Sequence, residues 1–200
     1  DKADMVRNIL PKNIQCIFVR QPEQLGLGHA VLCAERVVGK EPFAVLLADD
    51  FITDYKKSVT ASLVEAFSKS GKSQLSIMKV DGPEISKYGV IVKSETEGNI
   101  SGIVEKPNYR NAPSNLASIG RYVLTPDIFD ILGKLAKGSG NEIQLADAIN
   151  FQAQMDAVNS VVLEGTRFDC GSIDGFISAI SHEYKKKYNK LIRIDKNIKH

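Results

Sequence analysis

Two hundred residues are enough for one domain with a sizeable core and leave room for a small appendage. Apolar residues make up 43% and charged residues 25%, the balance of an ordinary globular chain. A formal net charge of +2 gives no footprint for nucleic acid, and no apolar run nears the roughly 18 residues of a membrane helix.

The opening Asp1-Lys2-Ala3-Asp4 does not read as a signal peptide, so no leader is expected. Asn13 to Arg20 reads as a strand. Gly28 to Val38 reads as a helix after a Gly-rich turn. Phe43-Ala44-Val45-Leu46-Leu47-Ala48 is a short, wholly apolar run, predicted as a strand buried on both faces of a parallel sheet. Asp49 and Asp50 end it, marking where the chain leaves the core, because an unpaired buried charge is costly. Val59 to Ser70 has helical apolar spacing, and Gly71 stops it. Gln74 to Val80 is the next strand. Strand, helix, strand, helix, strand implies right-handed crossovers in an α/β fold.

The middle changes character. Tyr88 to Val92 and Ile100 to Glu105 are two strands whose polar, Gly98-containing connector predicts a hairpin. Ala117 to Leu124 is a further strand. Thr125-Pro126-Asp127 opens a helix through Leu135. A helix from Asn141 or Glu142 to Gln154, a strand from Val158 to Leu163 and a helix from Gly171 to Tyr184 complete the domain, residues 1–184. Residues 185–200 form a lysine-rich tail or helix, which reads as a solvated surface. Cys16, Cys33 and Cys170 form neither a zinc pattern nor a disulfide framework, so the expected setting is a reducing cytoplasm.

Several strand ends carry groups suited to chemistry. Gly26-Leu27-Gly28-His29 lets a ligand approach backbone at a helix start, although many α/β turns contain such a pattern and bind nothing. His29 is open to a role as base or to simple packing. Asp49 and Asp50 offer hard oxygen ligands for a divalent cation, or merely end a strand. Glu105-Lys106-Pro107 offers a carboxylate and an ammonium together, able to hold a sugar hydroxyl and a phosphate, or to form a surface ion pair worth little. Asp169 is a second metal-ligand candidate or a helix cap.

In order along the chain, Gln21, Gly26-Leu-Gly-His-Ala-Val31, Leu47-Ala-Asp-Asp50, Tyr88-Gly-Val90, Glu105-Lys-Pro107, Ala112-Pro-Ser-Asn-Leu-Ala117, Gly120-Arg-Tyr-Val-Leu124, Glu142-Ile-Gln-Leu145 and Phe168-Asp-Cys-Gly171 resemble the bacterial UTP–glucose-1-phosphate uridylyltransferases. The resemblance implies a Rossmann-like, mostly parallel mixed sheet flanked by helices. It implies transfer of a uridylyl group from UTP to glucose 1-phosphate, giving UDP-glucose and pyrophosphate. By motif, Gln21 and the Gly26 backbone would read the uracil, and Asp49 and Asp169 would hold Mg²⁺. Gly89 and Glu105 would bind glucose, Lys106 its phosphate, and Asn115 to Ser118 would add sugar contacts. Asp49, Lys106 and Asp169 would then be the catalytic set. A homo-oligomer, dimer or tetramer, is implied, with neither nucleic-acid nor membrane partners.

The sequence departs from the family pattern at its start, and the tail from Lys185 also matches the family poorly. The family opens with a strand and a GxGTR loop that cradles the triphosphate, and no such segment occurs here. The resemblance therefore predicts a chain lacking the first strands and that loop, with little turnover alone and unpaired sheet edges. A thymidylyltransferase of the same superfamily and a non-catalytic sugar-nucleotide binding module stay open as alternatives.

Overall fold

The computed structural model describes residues 2–197 except 8, 10 and 12. In chain order the helices are α1 (Lys2–Arg7), α2 (Gly26–Leu32), α3 (Glu35–Val38), α4 (Val59–Ser70), α5 (Asp127–Leu132), α6 (Leu145–Gln154) and α7 (Ile173–Asn197). The strands are β1 (Phe43–Leu46), β2 (Asp50–Thr53), β3 (Ser73–Lys79), β4 (Gly89–Lys93), β5 (Ile100–Glu105), β6 (Leu116–Leu124), β7 (Val158–Val162) and β8 (Thr166–Asp169). Six of them form one sheet in the order β5-β4-β6-β3-β7, with β1 also paired to β6, while β2 and β8 form a separate two-stranded ribbon.

The mixed sheet flanked by helices is as expected, but its parallel content is smaller. Among the described strands, only β3 and β7 pair in parallel. The reason is β6. Its nine residues run antiparallel to β1, β3 and β4 and separate β1 from β3, the two strands that the helical crossover makes parallel. Alternation along β6 then builds two cores. Leu124 faces a cluster with Leu75, Ile128, Leu132 and Ile149 under α2, α5 and α6. Its neighbour Val123 faces Val59 and Leu63 of α4. Full burial of one such aliphatic side chain stabilises by about 1.5–3 kcal/mol relative to exposure.

The apolar run ending in Asp49 is corrected in one respect. β1 has a single described neighbour and alternates between half-buried and exposed residues, with Leu46 54% exposed. Phe43 is held by stacking on Phe129 of α5, with centroids 4.9 Å apart. The predicted strand over Asn13 to Arg20 is absent. Those residues have no regular structure and Phe18 is 94% exposed. An apolar pattern alone does not make a strand, since a strand is stabilised by a neighbour's hydrogen bonds. The helix predicted over Gly28 to Val38 is two pieces, α2 and α3, joined by a turn at Cys33-Ala34. Gly71 caps α4 in the left-handed conformation, as its position predicts. The lysine-rich stretch continues α7 to Asn197, and residues 198–200 lie outside the described ones. No helix of the described residues is long and apolar enough to cross a membrane.

Exposed carboxylates paired with ammonium groups set the acid response. A hydrogen bond from Lys186 holds Asp54 below its ordinary pKa, with burial opposing and His182 assisting. Lys57 and then Lys69 bring Glu65 to about 2. Lys72 lowers Asp156 against a burial effect that raises it. A carboxylate whose folded pKa is depressed contributes stability that is complete above its unfolded pKa of about 4 and is lost as pH falls through the folded value. The denaturation midpoint should therefore stay level down to about pH 5, then fall toward about pH 2. The fall should shrink in about 1 M salt, which screens exposed pairs. Denaturant titrations across that range check it; a midpoint unchanged at pH 3 would contradict it.

Candidate active site

The β2–β8 ribbon carries the acidic residues. Its antiparallel register sets Asp50 directly opposite Asp169, and Cys170 N–H donates to the Asp49 carbonyl at 2.7 Å. Asp49 and Asp50 then take different surroundings. Asp50 is 3% exposed. Its carboxylate accepts Gly120 N–H and the Arg167 guanidinium, whose Nε lies 2.5 Å from Oδ1. Gly120 must be glycine here, because a Cβ would stand 2.6 Å from Asp50 Oδ2. Arg121 closes the corner, donating to the Asp50 carbonyl at 2.6 Å and to the Leu47 carbonyl at 2.9 Å. Asp50 is thus fully committed to holding the ribbon on the sheet.

Asp49 is exposed and free of that network. A Cβ built at Gly171 would lie 3.1 Å from Asp169 Oδ1 and 3.3 Å from Asp49 Oδ2. The two carboxylates therefore converge on one small space that exists because residue 171 has no side chain. Gly175, in the first turn of α7, packs still closer. A Cβ there would stand 1.8 Å from the Asp169 carbonyl, so the start of the helix sits directly on the backbone of this residue.

Beside the pair lies a cavity of about 210 Å³. Asp49, Asp50, Gly89, Glu105, Ser118 and Arg167 line it. Gly89 faces Glu105 across the β4–β5 pair. A Cβ at Gly89 would come 3.1 Å from Glu105 Oε2, so glycine leaves room for that carboxylate. The buried Ser118 hydroxyl has no hydrogen-bond partner among the described residues. Lys106 follows at the strand end with its ammonium 3.8 Å from Glu105 Oε1 and largely exposed. Its φ of 44° is the left-handed region, costly for a side chain and more so before Pro107.

Not every expected residue reaches this cavity. Asn115 donates to Asp81 at 3.0 Å on the exposed surface and is absent from the lining. Gln21 and Gly26 sit at the Gly-rich turn, whose neighbour Leu27 does line it. That turn is clamped by an extended segment instead of the helix start predicted at Asn141 or Glu142: Gly28 N–H donates to the Ile143 carbonyl at 2.9 Å, and Ile143 N–H to that of Leu25 at 2.8 Å. A Cβ at Gly28 would stand 2.6 Å from the Ile143 oxygen.

Arg167 is the functional neighbour that sequence reasoning missed. Burial works most strongly against its charge, but the bond to Asp50 together with the nearby charges of Asp50, Tyr88 and Asp169 raises its pKa overall. Its guanidinium also lies 3.7 Å from Asp169 and 5.3 Å from the centroid of the Tyr88 ring. Thr166-Arg167-Phe168-Asp169 alternates in the manner of a strand, and i, i+2 spacing puts Arg167 and Asp169 on one face. At the other end of the ribbon, Asp54 bonds His182 at 2.5 Å and Lys186 at 2.7 Å. Glu183 accepts from Thr53 at 2.7 Å. Among the described residues, Asp54, His182 and Glu183 are the one trio of metal-ligating types brought together, but the Lys186 ammonium already serves as its cation and clasps α7 to β2.

The nucleotidyl transferase family profile matches residues 3–186. The UTP–glucose-1-phosphate uridylyltransferase of Haemophilus ducreyi is 40% identical over 197 residues, covering 94% of this chain and 66% of the relative. That of Haemophilus influenzae is 42% identical, covering 93% and 66%. A solved UDP-glucose pyrophosphorylase complexed with UDP-glucose superposes with a TM-score of 0.79 at 46% identity, covering 84% of this chain and 65% of that one. The UTP-bound enzyme from Acinetobacter baumannii gives 0.82 at 34% identity, covering 96% and 70%. This chain thus spans about 66% of the length of the two Haemophilus relatives.

Proposed function

We propose, from the premise that this chain belongs to the nucleotidyl transferase family, that it carries the sugar and metal side of a UTP–glucose-1-phosphate uridylyltransferase. The observation that carries this is the convergence of Asp49 Oδ2 and Asp169 Oδ1 beside a cavity lined by Gly89, Glu105 and Ser118. In the reaction, a phosphate oxygen of glucose 1-phosphate attacks the α-phosphorus of UTP in line and pyrophosphate leaves. Both partners are anions, so positioning and charge neutralisation supply most of the catalysis.

Two carboxylate oxygens around a space without a side chain suit Mg²⁺, which takes one or two protein carboxylates and completes its shell with water and phosphate. Bound there, the ion would neutralise charge developing on the α-phosphoryl oxygens. Glu105 accepts from glucose hydroxyls, with Gly89 leaving room for the ring. Lys106 at the strand end neutralises the sugar phosphate. Gln21 and Gly26 read the base. The partners are then UTP, glucose 1-phosphate and UDP-glucose. A dimer or tetramer in the cytoplasm belongs to the same proposal; the exposed stripe of Phe176, Ile177, Ile180 and Tyr184 along α7 supports self-association.

Because these 200 residues contain no GxGTR segment, binding is the primary readout. Calorimetric titration with UDP-glucose should show binding strengthened by Mg²⁺, and pyrophosphate release from UTP and glucose 1-phosphate by this chain should be slow. Preference for dTDP-glucose would favour the thymidylyl reading. Equal binding with and without Mg²⁺ would favour a non-catalytic module, and no binding to any nucleotide sugar would sink the proposal.

A further inference from the structure

The Gly-rich turn contains a hydrogen-bond chain with a defined direction. Gln21 Nε2 donates to the Gly26 carbonyl at 3.1 Å. The same nitrogen lies 3.0 Å from His29 Nδ1, and His29 Nε2 lies 3.8 Å from the Cys33 sulfur. A backbone carbonyl can only accept, so the amide must turn its NH₂ toward Gly26. With the NH₂ so placed, His29 Nδ1 must be the acceptor of the second proton. The imidazole is therefore the tautomer protonated on Nε2, where the i, i+4 spacing sets the soft Cys33 sulfur as its partner. The Gly26 carbonyl is itself fixed, because φ is +87° and a Cβ there would meet Glu142 Cβ at 2.8 Å.

Both protons of the Gln21 amide are thus used within the protein. No described donor reaches its Oε1, which is the atom left for a ligand. A lone acceptor selects for a donor. Uracil and thymine offer N3–H at their pairing edge. Cytosine offers a lone pair at N3, which would leave two acceptors facing each other.

We propose that His29 is a positioning residue for nucleobase selection: by accepting from Gln21 Nε2 it holds the amide with Oε1 outward, opposite the base's N3, so that the base bound there must carry its proton on the ring nitrogen N3. This rests on the uridylyltransferase reading above, in which Gln21 faces the base. It leaves thymine accepted and makes exclusion of cytosine a property of His29 as well as of Gln21.

The test is titration of UDP-glucose and CDP-glucose, with Mg²⁺, into the wild-type chain, His29→Leu and His29→Asn. Leucine removes the acceptor. Asparagine restores one, since its Oδ1 stands near the place of Nδ1. The preference for UDP-glucose over CDP-glucose should fall about five- to tenfold in His29→Leu, the worth of one net hydrogen bond, and return in His29→Asn. A preference unchanged in a folded His29→Leu would overturn the role of His29 while leaving the functional reading intact. Wild-type chain that binds neither nucleotide sugar would overturn both. If His29→Leu does not fold, ¹⁵N NMR of the wild-type chain decides: His29 protonated on Nε2 alone supports the proposal, and a proton on Nδ1 overturns it.

Discussion

Arg167→Leu is expected to destabilise the folded protein by about 3–5 kcal/mol, the usual cost of leaving one member of a buried ion pair without its partner. Asp50 is 3% exposed and its Arg167 partner has a side chain 11% exposed, so water cannot take over the lost contacts. The Gly120 N–H would remain as a donor to the Asp50 carboxylate, but one neutral donor does not compensate a buried charge. Denaturant unfolding measures the loss. The double variant Asp50→Asn, Arg167→Leu should recover more than half of it, because asparagine can still accept from Gly120 and carries no charge. Equal stability of Arg167→Leu and the wild-type chain would show that the pair does not hold the ribbon to the sheet.

Asp49→Asn and Asp169→Asn should act by another route. Each removes an anionic oxygen that the proposed function assigns to the metal from the shared space over Gly171, and both residues are exposed enough for the neutral amide to fit without strain. The unfolding midpoint should move little. The Mg²⁺-dependent gain in UDP-glucose affinity should fall by at least about a hundredfold in the double variant, since losing ligands exceeds the 10- to 100-fold cost of losing the groups that orient them. Binding measured without Mg²⁺ should be nearly unchanged. A double variant that still responds to Mg²⁺ as the wild type does would move the metal elsewhere.

Much of this arrangement was readable from local pattern. The 3.6-residue spacing of α4 with its Gly71 stop, the β4–β5 hairpin around Gly98 and the long apolar β6 are all short-range signals, and the structure forms them close to the predicted bounds. Pairing was less legible. Nothing local says that β6 inserts between β1 and β3, because that depends on which edges remain after the hairpin has formed. The alternation over Thr166 to Asp169 spans only four residues and does not name the partner strand, so the β2–β8 ribbon, and with it Arg167, escaped notice. At the site, Gly89 and Glu105 pair across neighbouring strands, and their role as neighbours follows from the hairpin register. Asn115 shows the opposite case. The family resemblance set the Asn115 to Ser118 stretch at the sugar, but Asn115 donates to Asp81 on the outer surface.

Asp49 and Asp50 are chemically identical and adjacent, yet the chain leaving β1 commits one to solvent and buries the other at the start of β2. In genetic terms they would behave as different kinds of allele. Damage at Asp50 acts through folding, so cooling, a stabilising second mutation elsewhere or a raised level of protein can offset it. Damage at Asp49 acts on a molecule that is already folded, and none of those remedies supplies the missing oxygen. A screen reading growth at one temperature would score both positions alike. Conditional rescue would separate the aspartate that holds the ribbon in place from the one that, in the proposed function, would hold the metal.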